Sequence, residues 1–258
     1  MSEREPRFLN SVRSIINWPL VVIVTFIFSI VVTICSLFLF IVDRSRKNIH
    51  LLVSAWAKTV LLVCPLMNVR LEGEERLVKD GVYVFVANHQ SLADIVAVLH
   101  LKRPFKFIAK KELFSIPIFG WSLSAAGYIP LIRGNQNSGK EALEQACRYL
   151  ERKVSVLFFP EGTRSLSGEI QNFKMGAFKL ASELNISVVP IVIHGTRDLL
   201  PKGSRLMGRS EQVTVQIELP HQPKGKDASS IERFAGEIRN EMIQRLNQIR
   251  SHIHSGPL

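Results

Sequence analysis

Residues 82–94 read Val82-Tyr83-Val84-Phe85-Val86-Ala87-Asn88-His89-Gln90-Ser91-Leu92-Ala93-Asp94. The first six are apolar with strand composition, and Ile95-Val96-Ala97-Val98-Leu99 reads as helix. A histidine and a carboxylate thus fall at a strand-to-helix junction, where α/β proteins place their chemistry. If Asp94 accepts a hydrogen bond from one imidazole nitrogen, the other nitrogen of His89 becomes a better base toward a bound hydroxyl. Ser91-x-x-Asp94 has a second reading as a capping box, with the carboxylate placed to suit the helix dipole. From the residues alone both readings stand.

Outward from this junction, strands and helices alternate. Phe105–Ala109 is a short strand, and Glu112–Ala126 an apolar helical stretch interrupted at Pro117. Gly127–Arg133 reads as turn and strand. Ser138-Gly139-Lys140-Glu141 has the pattern of a capping box opening a helix with Leu143, Ala146, Cys147 and Leu150 on one face. Val154–Phe159 is a buried strand, Lys174–Leu184 a helix stopped at Asn185, and Ser187–Ile193 a strand. Gln212–Leu219 alternates Val213, Val215, Ile217 and Leu219, as a half-exposed strand near a sheet edge would. A last helix runs from Ile231 to Ile253 with an apolar face from Ile231 to Ile249. The expected fold is α/β: a mixed, mainly parallel sheet flanked by helices.

The N-terminal part differs. Residues 1–17 are polar and carry Arg4, Arg7 and Arg13. Pro19 to Val42 holds no ionisable residue except Cys35, and as a helix would reach about 36 Å, enough for a hydrocarbon core of about 30 Å. A second apolar stretch, Leu51–Val69, is broken by Lys58 and Pro65. It reads as a buried helix, a shallow span or an interfacial helix; turned back beside the first, it would form a monotopic hairpin. Residues 1–69 are therefore expected to be a membrane-anchoring helical segment, with helices at 19–42 and 51–69, and residues 70–258 the catalytic domain.

Lys and Arg number 33 against 22 Asp and Glu, a formal charge of +11 that suits an anionic partner. Cys35, Cys64 and Cys147 have neither disulfide-framework nor metal-ligand spacing, and no metal is expected. A lipase would want Gly-x-Ser-x-Gly, and Gly120-Trp121-Ser122-Leu123-Ser124 lacks the second glycine. Nucleic-acid binding through charge alone has no use for a His–Asp pair at a strand end.

A second polar loop, Phe159-Pro160-Glu161-Gly162-Thr163-Arg164-Ser165, also follows a buried strand. Gly162 permits a tight turn, and Arg164 offers a planar cation matched to phosphate oxygens; the plainer alternative is a Glu161–Arg164 ion pair bracing the loop.

Asn88-His89-x4-Asp94, Gly127…Arg133, Phe159–Ser165 and Val189-Pro190-Ile191 occur in the order seen in glycerolipid acyltransferases. Over roughly residues 70–200 the chain closely resembles the 1-acyl-sn-glycerol-3-phosphate acyltransferase (lysophosphatidic acid acyltransferase) family. The resemblance implies transfer of an acyl chain from acyl-CoA or acyl carrier protein to the sn-2 hydroxyl of lysophosphatidic acid, forming phosphatidic acid, with no cofactor or metal. It implies His89 as general base with Asp94 orienting it. Glu161, Gly162, Thr163 and Arg164 would form the glycerophosphate-binding loop, with Lys174 adding charge. Arg133 matches the arginine closing the second motif, although Leu131-Ile132 stands where the family usually has an aromatic and an acid. Another lysophospholipid remains an alternative acceptor. Backbone N–H groups at the start of the Ser91 helix are the expected oxyanion donors. The expected partners are lysophosphatidic acid, the acyl donor and the bilayer, with no nucleic acid, and the expected location is the membrane with the catalytic domain on the cytoplasmic side. Lys102, Arg103, Lys106, Lys110 and Lys111 form a basic cluster in sequence, read as a site for anionic headgroups or an acidic carrier or as a solvated face, and Leu113–Ala126 reads as core packing or as an acyl-tunnel or membrane-contacting stretch.

Overall fold

The computed structural model describes residues 7–39 and 41–255. Arg4 and Phe40, the latter inside the expected span, lie outside the described residues, as do the side chains of residues 7, 210, 211 and 253–255. Seven strands form one sheet: β1 (Met67–Glu72), β2 (Val84–Ala87), β3 (Phe105–Lys110), β4 (Ile129–Leu131), β5 (Ser155–Phe158), β6 (Val188–His194) and β7 (Ser210–Ile217). Their order is β1-β7-β6-β2-β5-β3-β4. All neighbouring pairs are parallel except β6 with β7, so the sheet is mixed and mainly parallel.

Successive side chains point to opposite faces of a strand. In β2, Phe85 and Ala87 join the front core while Val84 and Val86 join the back one. Behind the sheet lie α6 (Gln136–Glu151), α7 (Gly176–Leu184) and α9 (Ala228–Ser255). In front lie α1 (Arg7–Leu39), α2 (Lys47–Val63), α3 (Ala93–Val98) and α5 (Phe119–Ala125). Two one-turn helices, α4 (Lys111–Phe114) and α8 (Thr196–Leu199), complete the set.

α1 is long and apolar enough to cross a membrane, and most of its apolar residues, such as Ile15, Phe26 and Phe38, are exposed. It begins well before Pro19. α2 turns back against it: the Trp56 indole N–H donates to Thr25 Oγ1 at 3.1 Å. Asp43, in the charged run after α1, is buried and accepts the backbone N–H groups of Lys47, Asn48 and Ile49 at 2.9–3.2 Å, opening α2. α2 stops at Val63, and Met67–Val69, expected as helix, enter β1.

Two sequence expectations are corrected, the cap of α6 and the exposure of β7. The cap of α6 is Asn135, whose Oδ1 accepts Ser138 N–H at 2.9 Å, so the helix starts a turn before the Ser138 box. The stretch 112–126 is interrupted at Pro117, as expected, and gives α4 and α5. β7 lies one strand in from the edge, near it as expected, but both its faces are covered: Thr214 and Gln216, with Glu218 just past its end, are buried like the valines opposite. Asn185 ends α7 in the left-handed region at φ 52°, as its place in the sequence predicts.

Candidate active site

Parallel β2, β5, β3, β4 and β6 bring their C-terminal ends to one edge of the sheet, and the polar motifs follow those ends. Asn88 locks the exit of β2 to β6: its Nδ2 donates to Ile193 O at 2.9 Å and its Oδ1 accepts Ile193 N–H at 2.7 Å. His89 Nδ1 then meets Asp94 Oδ2 at 2.7 Å, with the His89 side chain 9% exposed and Asp94 fully buried. The imidazole stacks on Phe159, centroids 4.2 Å apart. Asp94 Oδ2 also accepts Gln90 N–H at 2.7 Å and Ser91 N–H at 3.0 Å, and its Oδ1 accepts the Thr196 hydroxyl. The carboxylate contact is made at Nδ1, which leaves Nε2 as the ring nitrogen open to a ligand.

The two readings of Ser91-x-x-Asp94 prove compatible. Asp94 accepts Ser91 N–H as the acid of a capping box would, while Ser91 Oγ accepts Ala93 N–H at 3.1 Å and donates to Leu200 O at 2.8 Å. The same contacts occupy the N–H groups of Gln90, Ser91 and Ala93, and Asp94 N–H bonds Ser91 O. Those four are thus committed and do not serve as the expected oxyanion donors.

Glu161 does not pair with Arg164. Its Oε1 accepts His89 N–H at 2.7 Å and its Oε2 accepts Gln171 N–H at 3.0 Å. Burial raises its pKa, opposed by these two bonds. Ser165 N–H donates to His89 O at 2.7 Å, so the 161–165 loop grips the residue carrying the imidazole at both its N–H and its C=O. Gly162 has φ +70°, and a Cβ there would lie 2.8 Å from Lys174 Cε. The exposed Lys174 thus lies across the turn that only glycine fits.

Arg164 is half-buried, and burial, then the charge of Arg133, lower its pKa while Asp94 raises it. Arg133 follows β4 and is exposed. His89, Asp94, Arg164 and Arg133 are therefore drawn to one end of the sheet, two guanidinium groups within electrostatic reach of each other. Thr163 and Arg164 are held by a residue given no role from sequence: Lys202 Nζ donates to Thr163 Oγ1 at 3.1 Å and to Arg164 O at 2.8 Å. Its one sequence signal is its place among the basic residues Lys202, Arg205 and Arg209. Thr196, at the start of α8, carries no sequence signal of its own.

The sequence cluster of lysines and arginines disperses. Lys106 is buried, donating to Arg46 O at 2.9 Å and Ala126 O at 2.8 Å, and Arg103 bonds the carbonyls of Leu77 and Val78. Burial and then the Arg46 charge push the Lys106 pKa down to about 7.

Between the sheet and the α1–α2 pair lies an apolar cavity of about 350 Å³. Val32, Trp56, Val96, Phe119 and Leu123 are among its walls, and Trp121 stands outside, 58% exposed. Leu92 and Ala93, which directly follow Ser91, also line it, so the cavity reaches the loop that holds the His–Asp pair.

A His–Asp pair and arginines at the strand ends of such a sheet define a class, and comparison agrees: the Acyltransferase family model matches residues 68–194, and this part of the chain belongs to that family. More particularly, the chain is similar to proteins named 1-acyl-sn-glycerol-3-phosphate acyltransferase. It is 40% identical over 176 residues to the chloroplastic LPAT1 of Arabidopsis thaliana, covering 68% of this chain and 49% of that protein. It is 32% identical over 187 residues to the Saccharomyces cerevisiae protein of that name, covering 71% of this chain and 61% of that one. The chain thus spans about half to three-fifths of the length of these relatives. The crystal structure of the 1-acyl-sn-glycerophosphate (LPA) acyltransferase PlsC from Thermotoga maritima superposes with a TM-score of 0.77 at 28% identity, covering 93% of this chain and 97% of that one.

Proposed function

We propose that this chain transfers an acyl group from acyl-CoA or acyl carrier protein to the sn-2 hydroxyl of 1-acyl-glycerol-3-phosphate, releasing phosphatidic acid and the free thiol. The observation that carries the proposal is the His89–Asp94 pair beside an apolar cavity, with Arg164 and Arg133 near it. His89 Nε2 takes the proton of the acceptor hydroxyl as its oxygen attacks the thioester carbonyl. The tetrahedral intermediate collapses with departure of the thiolate, which receives the proton back from His89. A thioester is already activated and the hydroxyl comes with the substrate, so the reaction needs no acyl-enzyme and no cofactor beyond the donor.

Arg164 and Arg133 hold the phosphate bidentately, and Lys174 adds charge across Gly162. Glu161 works by fixing the His89 backbone, since both its oxygens already accept N–H groups. An acyl chain occupies the cavity, whose volume lies within the range of about 300–1,000 Å³ usual for ligand pockets. Residues 1–69 anchor the protein and 70–258 carry the chemistry, on the cytoplasmic side, where the soluble donors are. The test is acyl transfer by the membrane fraction, with lysophosphatidic acid against lysophosphatidylcholine as acceptors and both donor types. Phosphatidic acid is the expected product; preference for the choline lipid would overturn the acceptor assignment.

A further inference from the structure

A second groove, of about 490 Å³, lies away from the His–Asp pair. α2 walls it with Lys58, the edge strand β1 with Val69, the end of the α3 segment with His100, and the residue before β7 with Arg209. Two cations, Lys58 and Arg209, therefore converge with a histidine from three separate elements, and no acidic residue lines the groove among the described residues. Lys58 and Arg209 have no hydrogen-bond or ion-pair partner among the described residues. His100 Nδ1 donates to Val96 O at 2.8 Å, which fixes the ring in the groove wall. Burial and, on the same side, the Lys58 charge lower the His100 pKa, placing these two groups close together. Cations crowded in this way call for an anion.

The rest of the groove says which kind. Its other walls, Leu61, Leu62, Pro65, Met67 and Asn68, are mainly aliphatic, and Leu62 is 81% exposed. Lys58 and Leu62 sit on a helix packed against the long apolar α1. Leu61 and Met67 also wall the apolar cavity, so the groove adjoins a surface that accepts hydrocarbon. A basic side chain at the end of a membrane-associated helix meets the bilayer at headgroup depth.

We propose that Lys58 and Arg209, beside His100, bind the phosphate headgroup of an anionic phospholipid of the surrounding bilayer, separate from the acceptor site. The proposal rests on the membrane reading of α1 and α2 and not on the acyl-transfer chemistry. A lipid held here would fix the depth and tilt of the α1–α2 pair relative to the sheet.

The test is co-flotation of the full chain with vesicles of phosphatidylcholine alone or with one-fifth phosphatidylglycerol. At about 1 kcal/mol per basic residue near the surface, two such residues are worth about 30-fold in partitioning. Lys58→Gln/Arg209→Gln should lose most of a preference of this size for the anionic vesicles while still floating with neutral ones. Lys140→Gln/Lys224→Gln, which removes equal charge from exposed positions outside the groove, should keep the preference. Equal loss in both double variants, or no loss in the groove variant, would overturn the proposal. So would displacement of the chain from anionic vesicles by free coenzyme A in the wild type but not the groove variant, which would make this a donor-phosphate site. Failure of the wild type to float even with neutral vesicles would instead sink the membrane reading of α1 and α2, and this proposal with it.

Discussion

Behind the sheet, α6, α7 and α9 close over Val84, Val86, Val156 and Val192, and Phe178 and Met242 are fully buried there. In front, the same strands present Phe85, Phe107 and Ile191, but α1, α2, α3 and α5 leave an apolar cavity of about 350 Å³ and meet it with exposed apolar surfaces outside. Empty apolar volume costs stability. A protein that packs one face fully and leaves the other open keeps the opening for a guest. The back layer holds the strands in register; the front layer carries the cavity beside the motifs at the strand ends.

Substitutions should separate the two. His89→Ala should lower acyl transfer by about 10²–10⁴-fold while thermal unfolding stays as in the wild type; substantial residual turnover would remove the general-base role. On the back layer the pattern should invert. Phe178→Ala should cost about 3–5 kcal/mol of stability, with kcat per folded molecule unchanged, as read by denaturant unfolding and active-fraction titration. A matching fall in kcat would show that the layers are not independent. Arg164→Ala should raise the KM for lysophosphatidic acid by about 10–100-fold, the loss of a charge-assisted contact, with a smaller effect on a neutral acceptor; an unchanged KM would count against its phosphate contact. Lys202→Met should raise the same KM by about 3–10-fold by releasing the Thr163–Arg164 loop, and Lys202→Arg should recover part of it.

How far the sequence foretold this depends on whether the partners were near in the chain. β2, the His89–Asp94 spacing and the apolar stripe from Ile231 to Leu246 are local patterns, and the structure shows each as an element or contact. β7 was misread because its polar side looks solvated: Glu218, just past its end, is buried only because Arg76 and Arg245 come to it from distant segments. Lys106 looked like one more surface lysine, and only the carbonyls of Arg46 and Ala126 explain its burial. Lys202 and Thr196 escaped for the same reason, since their partners Thr163 and Asp94 lie 39 and 102 residues away. The Glu161 motif was visible, but the bonds that tie it to the His89 backbone were not.

That tie has a practical side. Because Glu161 and Ser165 clasp the very peptide that carries the imidazole, the two loops form one mechanical part assembled from distant stretches of chain. An engineer who transplanted either loop alone into a new scaffold would obtain a histidine without its cradle, or a cradle with nothing to hold.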